Sequence, residues 1–231
     1  GSLGTMVGIY ETAIDEMCGQ KGIKAKIIAS TATIRNAGEQ CSVLYNRKII
    51  QFPAPGIDAE DSFFAKEAKI NLEDGIYGRR YIGVQPSGKT KAMIEIRLLA
   101  AMLQTIYTMK LPDTIKDKYW TLTAYYNSLK DLGKASSMMS DDVKDFIIRI
   151  ANRHFSKRRF VGDTDELTSR VSTTELNETL DKLEKIEYSE DNELIHRFAS
   201  NILLATNMIS VGIDVARLNA MVMVGQPKLT S

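Results

Sequence analysis

The sequence predicts an α/β protein: a doubly wound, mainly parallel sheet with helices on both faces. Three observations predict it. Two continuous apolar runs, Ile202–Ala205 and Ala220–Val224, are bounded by polar residues. Unbroken runs of that length suit strands covered on both sides. Stretches with apolar residues at three- and four-residue steps alternate with the strand candidates, as crossover helices require. Finally, glycine and proline punctuate the junctions, as at Pro86 and Gly88.

The elements follow in order. Residues 24–30, Lys-Ala-Lys-Ile-Ile-Ala-Ser, predict a short buried strand. Pro53 and Pro55 lack an amide donor, so residues 51–57 predict an irregular connection. Order resumes near residue 61, with a strand pair expected up to Tyr77. Residues 79–84 predict the next strand. Residues 89–109 predict the longest helix, with Met93, Ile96, Leu99, Ala100 and Leu103 on one face. Pro112 stops it. Residues 119–126 are rich in aromatic residues and threonine, which predicts a strand. Ser140 predicts the N-cap of a helix carrying Val143, Phe146, Ile147, Ile150 and His154. Ser172 and Glu175 predict a capping box, ahead of a face of Leu176, Leu180, Leu183 and Ile186.

Composition excludes several classes. The chain has 231 residues, one to one and a half domains at about 150 each. It is 44% hydrophobic and 26% charged, which excludes wholesale disorder. Thirty basic residues face 29 acidic ones, so binding nucleic acid by bulk charge is not expected. Local contacts through a few donors remain open. Two cysteines, Cys18 and Cys41, make no disulfide framework, and two histidines make no zinc site. No metal site is expected. No apolar run reaches the length of a membrane span. The opening Gly-Ser-Leu-Gly-Thr has no signal-peptide pattern and reads as a cloning scar ahead of Met6. A cytoplasmic location is the expectation.

Two stretches could carry chemistry. Residues 83–90, Gly-Val-Gln-Pro-Ser-Gly-Lys-Thr, match the phosphate-loop pattern. Gly83 and Gly88 would let backbone amides wrap phosphates, Lys89 would neutralise charge, and Thr90 would hold Mg²⁺. However, no later apolar run ends in the paired carboxylates that complete such a site. The alternative is a tight turn into a helix, capped by Ser87. The second stretch, residues 202–215, reads as a buried strand, a polar break, a glycine and an aspartate. Thr206, Gly212 and Asp214 lie beyond the strand's carboxyl end, where open α/β sheets bind ligands; the alternative is an ordinary loop with Asp214 as a solvated side chain or cap.

The second stretch resembles motif V of superfamily 2 helicases, apolar-Ala-Thr followed by Gly-Ile-Asp at Gly212, Ile213 and Asp214. Residues 219–227 resemble the next core strand of that family and its exit. Residues 28–33, Ile-Ala-Ser-Thr-Ala-Thr, resemble motif III, with Thr31 in place of its serine. Residues 120–132 are similar to motif IV, and residues 166–170 to the segment between motifs IV and V. Phe52-Pro-x-Pro and Ser62-Phe63-Phe64 are similar to large bacterial helicases of the DISARM phage-defence type.

The resemblance implies a RecA-like fold and a domain plan. Residues 1–50 would be the tail of a first RecA-like domain. Residues 51–78 would be a linker or insertion. Residues 79–231 would be the second RecA-like domain, ending before motif VI. It implies ATP and Mg²⁺ as cofactors of a full-length parent, with nucleic acid, expected to be DNA, and the first RecA-like domain as partners. Gly212 and Asp214 would face ATP. Thr206, Asn127, Ser128, Thr168 and Arg170 would touch the nucleic-acid backbone, with a surface ion pair as the equal alternative for Arg170. Thr31 and Thr33 would couple the two sites. No complete catalytic set is expected in this chain, and residues 83–90 become a decoy loop. A self-contained P-loop NTPase or kinase using that loop is the alternative; a noncatalytic RecA-like interaction module is another. Lys157, Arg158 and Arg159 read as a solvated charge run, with contact to nucleic acid as the alternative, and His154 as a core or boundary histidine.

Overall fold

The computed structural model describes every residue except 1, 21, 23, 31–35, 55, 59–60, 62–63, 76, 163, 207–214 and 227–231. The chain divides into two units, Gly1–Ile82 and Gly83–Thr230. The boundary therefore falls at 82/83.

In the first unit, α1 (Ser2–Gly19) and α2 (Ala37–Tyr45) are the helices. Asn46, left-handed at φ 48°, ends α2, a conformation asparagine tolerates. Arg47 pairs with Asp15 and donates to the Ala25 carbonyl, holding the chain between the helices. No described residue of this unit is buried. The strand predicted at residues 24–30 is absent: the segment is irregular, and Ile28 is 85% exposed. A strand needs a partner for its backbone groups, and no described segment runs beside this one. Among the described residues of 58–77 there are isolated bridges, Asp58 to Asp61 and Asp61 to Lys66, in place of the expected strand pair. Residues 79–84 are likewise irregular and exposed.

The second unit carries the sheet. Its strands are β1 (Leu122–Tyr126), β2 (Asp165–Leu167), β3 (Ile202–Ala205) and β4 (Ala220–Val224). All are parallel, in the order β2-β3-β1-β4. The fold is thus α/β with an all-parallel sheet, consistent with a RecA-like architecture. Side chains alternate across β3, as strand geometry requires. Ile202 and Leu204 enter one core with Leu99, Leu103, Leu122, Leu132 and Ile147. Leu203 and Ala205 enter a second core with Leu167 and Leu183. Burying each such leucine or isoleucine contributes about 1.5–3 kcal/mol. That two-sided burial explains why the run carries no polar residue.

The helices cover both faces. Against the first core lie α3 (Lys91–Thr108), α5 (Leu129–Met138) and α6 (Lys144–Arg153). Of the face predicted on α3, Ile96, Leu99, Ala100 and Leu103 are buried, whereas Met93 in the first turn is 37% exposed. Thr90, rather than Ser87, caps α3 and accepts the Met93 amide at 3.3 Å. Residues 113–120 form a helix, α4 (Asp113–Trp120), where the sequence suggested that a strand begins at 119. Pro112 starts this helix by accepting the Ile115 amide, so the strand waits until Leu122. Ser140 is not an N-cap. A π turn at Met139–Val143 carries the helix from α5 into α6, and Ser140 donates back to the Ser136 carbonyl. Burial of Met139 and Val143 holds that turn to the core.

Against the second core lies α7 (Thr173–Lys185), opened by the predicted capping box of Ser172 and Glu175. Glu175 is held below the usual carboxylate range by the Ser172 hydroxyl and amide. The short α8 (Glu190–Leu194) follows. His154 is exposed at the C-terminus of α6 rather than at a core boundary, because the helix ends there and turns outward. Arg159 departs from the solvated charge run expected of it. It is 3% exposed, donates to the Leu103 and Trp120 carbonyls and to Asn201 Oδ1, and lies 3.6 Å above the Trp120 ring. A guanidinium can be buried this way because its fork of donors finds several acceptors at once.

Candidate nucleic-acid interface at the carboxyl edge of the sheet

Parallel strands bring all their exits to one edge, so residues far apart in sequence share it. Asn127 and Ser128 follow β1. Thr168 and Arg170 follow β2. Thr206 follows β3, and Gly225 follows β4. The five residues expected to touch a nucleic-acid backbone therefore all leave the same edge. Thr31, Thr33, Gly212 and Asp214 lie outside the described residues.

The exits of β1 and β4 are joined directly. Asn127 Nδ2 donates to the Gln226 carbonyl at 2.8 Å. Gly225 has φ +90°, and a Cβ there would lie 3.4 Å from Asn127 Nδ2 and 3.6 Å from Lys91 Nζ. Glycine is required by that backbone conformation, and it also leaves room for the two nitrogens. Lys91 opens α3, whose first turn offers free backbone amides and a positive dipole end. Beside it, Gly88 is left-handed at φ +66°, and Gly88, Lys89, Thr90 and Met93 line an open depression. The exposed Gly83 and Lys89 belong to the phosphate-loop pattern of residues 83–90, and residues 79–84 ahead of it form no strand.

Ser128 caps α5, accepting the Asp131 amide at 3.2 Å and donating to the Asp131 carboxylate at 2.7 Å. Thr168 is 1% exposed and donates to Glu166. Arg170 reaches both Glu166 oxygens while remaining 45% exposed. Burial by itself raises Glu166, but hydrogen bonds from Arg170 and Thr168 outweigh it and hold the carboxyl below its usual range. Arg170 Nη1 lies 3.9 Å from where a Cβ on Gly133 would stand, which places it beside α5. The Thr206 amide donates to the Leu167 carbonyl at 3.4 Å and ties the β3 exit to β2. Behind this row the Tyr126 hydroxyl donates to Glu95 Oε1 at 2.7 Å, both residues buried. Burial and that carboxylate push the Tyr126 pKa well above its usual value.

Along this edge stand the Arg170 guanidinium, paired with Glu166, the Lys91 ammonium group, the Asn127 side-chain amide, donated to Gln226, and the N-terminus of α3. Among the described residues, no group of three or more histidine, cysteine, aspartate or glutamate side chains is placed to hold a metal ion. Sequence reasoning missed Lys91 and Glu166. The first is an unremarkable helix lysine until β4 arrives beside it. The second shares an i, i+4 spacing with Arg170, a legible signal.

Across 240 aligned residues, covering the whole chain, the sequence is 41% identical to the DISARM protein DrmA of Bacillus paralicheniformis (strain ATCC 9945a / NCIMB 11709 / CD-2). The chain is similar to a stretch of a DISARM protein. It spans about a fifth of that relative's length, 20%. The similarity supports a DISARM-type affiliation. No family model matches the chain. Among the described residues, no helix is long and apolar enough to cross a membrane.

Proposed function

We propose that this chain forms one side of an ATP-dependent nucleic-acid motor of the DISARM phage-defence type, a helicase or translocase. The observation that carries this reading is the shared edge. Asn127, Ser128, Arg170 and Thr206 leave four-stranded parallel scaffolding side by side, with Lys91 beside them. Amide, hydroxyl and guanidinium groups suit phosphate contacts that position a strand without reading its sequence. Thr168 would act through Glu166 by orienting Arg170. In a larger protein, Gly212 and Asp214 would face ATP, Mg²⁺ would accompany the nucleotide, and Thr31 and Thr33 would couple the sites. Domain closure on ATP would then change the grip on the backbone.

The test uses the longer protein that carries this segment. Arg170→Ala and Thr206→Ala should each weaken DNA binding about tenfold and lower DNA-stimulated ATP hydrolysis. Asp214→Ala should lower hydrolysis and leave DNA binding in place. Unchanged binding in both edge variants would overturn the reading. Tight ATP·Mg²⁺ binding by this chain alone, lost in Lys89→Ala, would instead favour a self-contained phosphate loop at residues 83–90.

A further inference from the structure

The amino edge of the sheet, at the other end of the strands, carries a different surface. Two loops meet there: residues 154–160, after α6, and residues 195–201, before β3. Arg159 ties them together, donating from Nε and Nη2 to Asn201 Oδ1 at 3.1 and 2.9 Å. Gln104 fixes the first loop from below, donating to the Lys157 carbonyl at 2.8 Å and accepting the Arg159 amide at 2.9 Å. With Arg159 committed to the interior, its neighbours in sequence face solvent. Phe155 is 98% exposed, Phe160 79% and Phe198 51%. Arg153, Lys157, Arg158 and Arg197 are exposed between and beside them, and none forms an ion pair among the described residues.

Two features make this more than scattered exposure. Phe155 and His196 have φ of 50° and 56°, the positive-φ non-glycine residues described in this unit, one in each loop. A bulky side chain in the left-handed region is strained, and such strain is retained where a side chain must be displayed. Charge also favours one class of ligand. The acidic residues nearby include Glu190, Asp191 and Glu193 of α8 and Asp113 of α4, which accepts the Glu190 amide at 3.0 Å; Glu193 faces the inward cations Arg159 and Lys116. Arg197 donates to the Lys185 carbonyl at 3.0 Å, and none of the outward cations has an ion-pair partner among the described residues, so their charge is available to an external anion.

We propose that this edge binds single-stranded nucleic acid, with Phe155, Phe160 and Phe198 as stacking platforms and Lys157, Arg158 and Arg197 as phosphate partners. Unpaired bases offer faces to exposed rings, and interleaved cations track the backbone between them. A duplex keeps its bases stacked and would use the cations alone. This site is separate from the carboxyl edge and does not depend on the motor reading.

The test is fluorescence anisotropy of this chain with a labelled single-stranded oligothymidylate and with a duplex of equal length. Phe155→Ala and Phe160→Ala should each weaken single-strand binding about tenfold and leave duplex binding unchanged. Phe155→Trp should retain binding, which separates stacking from a folding defect. Lys157→Glu with Arg158→Glu should weaken binding and flatten its salt dependence. Arg170→Ala reports on the other edge, so the two proposals can fail separately. Equal single-strand affinity of the alanine variants and the unaltered chain would overturn the proposal. So would binding to phosphatidylglycerol vesicles without binding to the oligonucleotide.

Discussion

Glu166 grips Arg170 with both carboxylate oxygens, Nε to Oε1 at 2.6 Å and Nη2 to Oε2 at 2.5 Å. A two-point contact of this kind fixes the plane of the guanidinium as well as its position. Because Arg170 is 45% exposed, solvent screens the pair, and its net worth is about 1 kcal/mol or less. Its value to the edge is orientation.

A pH dependence follows from that pair. Glu166 is held below its ordinary value of 4.5 in the folded chain, so the unfolded chain takes up this proton first as pH falls. The stabilisation is complete above the unfolded value and disappears as pH falls through the lower, folded one. Glu166→Gln should remove this part of the acid sensitivity. Urea unfolding at a series of pH values from about 6 downward checks it; an unchanged acid limb in the variant would contradict the assignment.

Tyr126→Phe should destabilise the second unit by about 1–3 kcal/mol. It removes the donor to the Glu95 carboxylate, which is then buried without that partner. Glu95→Gln keeps an acceptor for the Tyr126 hydroxyl and should cost less. Denaturant midpoints of the two variants, compared at equal slope, read the difference.

Arg159→Lys should destabilise almost as much as Arg159→Met, by about 3 kcal/mol. An ammonium group cannot reach the Leu103 carbonyl, the Trp120 carbonyl and Asn201 together, nor lie flat on the Trp120 ring. Burial lowers the Arg159 pKa to about 9, so it stays charged at neutral pH and its acceptors matter throughout the physiological range. Full stability in the lysine variant, by thermal or urea unfolding, would show that charge alone suffices.

Ser172→Ala should cost about 1 kcal/mol, since the hydroxyl satisfies the Glu175 amide at the start of α7. The reciprocal contact from the Ser172 amide to Glu175 Oε2, at 3.0 Å, predicts coupling between the two residues. A double-mutant cycle with Glu175→Ala measures it, and strictly additive losses would argue against the box.

Much of the second unit was legible because its signals are local. The capping box needs two residues three apart, and Ser172 with Glu175 supplies them. The apolar runs at Ile202–Ala205 and Ala220–Val224 announce strands without reference to anything else. Residues 24–30 show the opposite case. Their pattern suits a strand, but a strand is a relation between two segments, and no described neighbour completes it. Ser140 misled for a similar reason. Its cap propensity is real, yet burial of Met139 and Val143 keeps the helix running through it.

By itself, the sequence determined the α/β class, the positions of β3 and β4, the α7 cap, and the residue types that suit phosphate contact. Those depend on periodicity and on groups a few residues apart. Only the tertiary structure decided what each residue faces. It brought Lys91 beside Gly225 and Asn127, turned Arg159 inward from a basic run, and left Phe155 and Phe160 outside. The physical reason is that parallel pairing joins distant segments at a common edge, and burial is decided there by whichever acceptors the other strands supply.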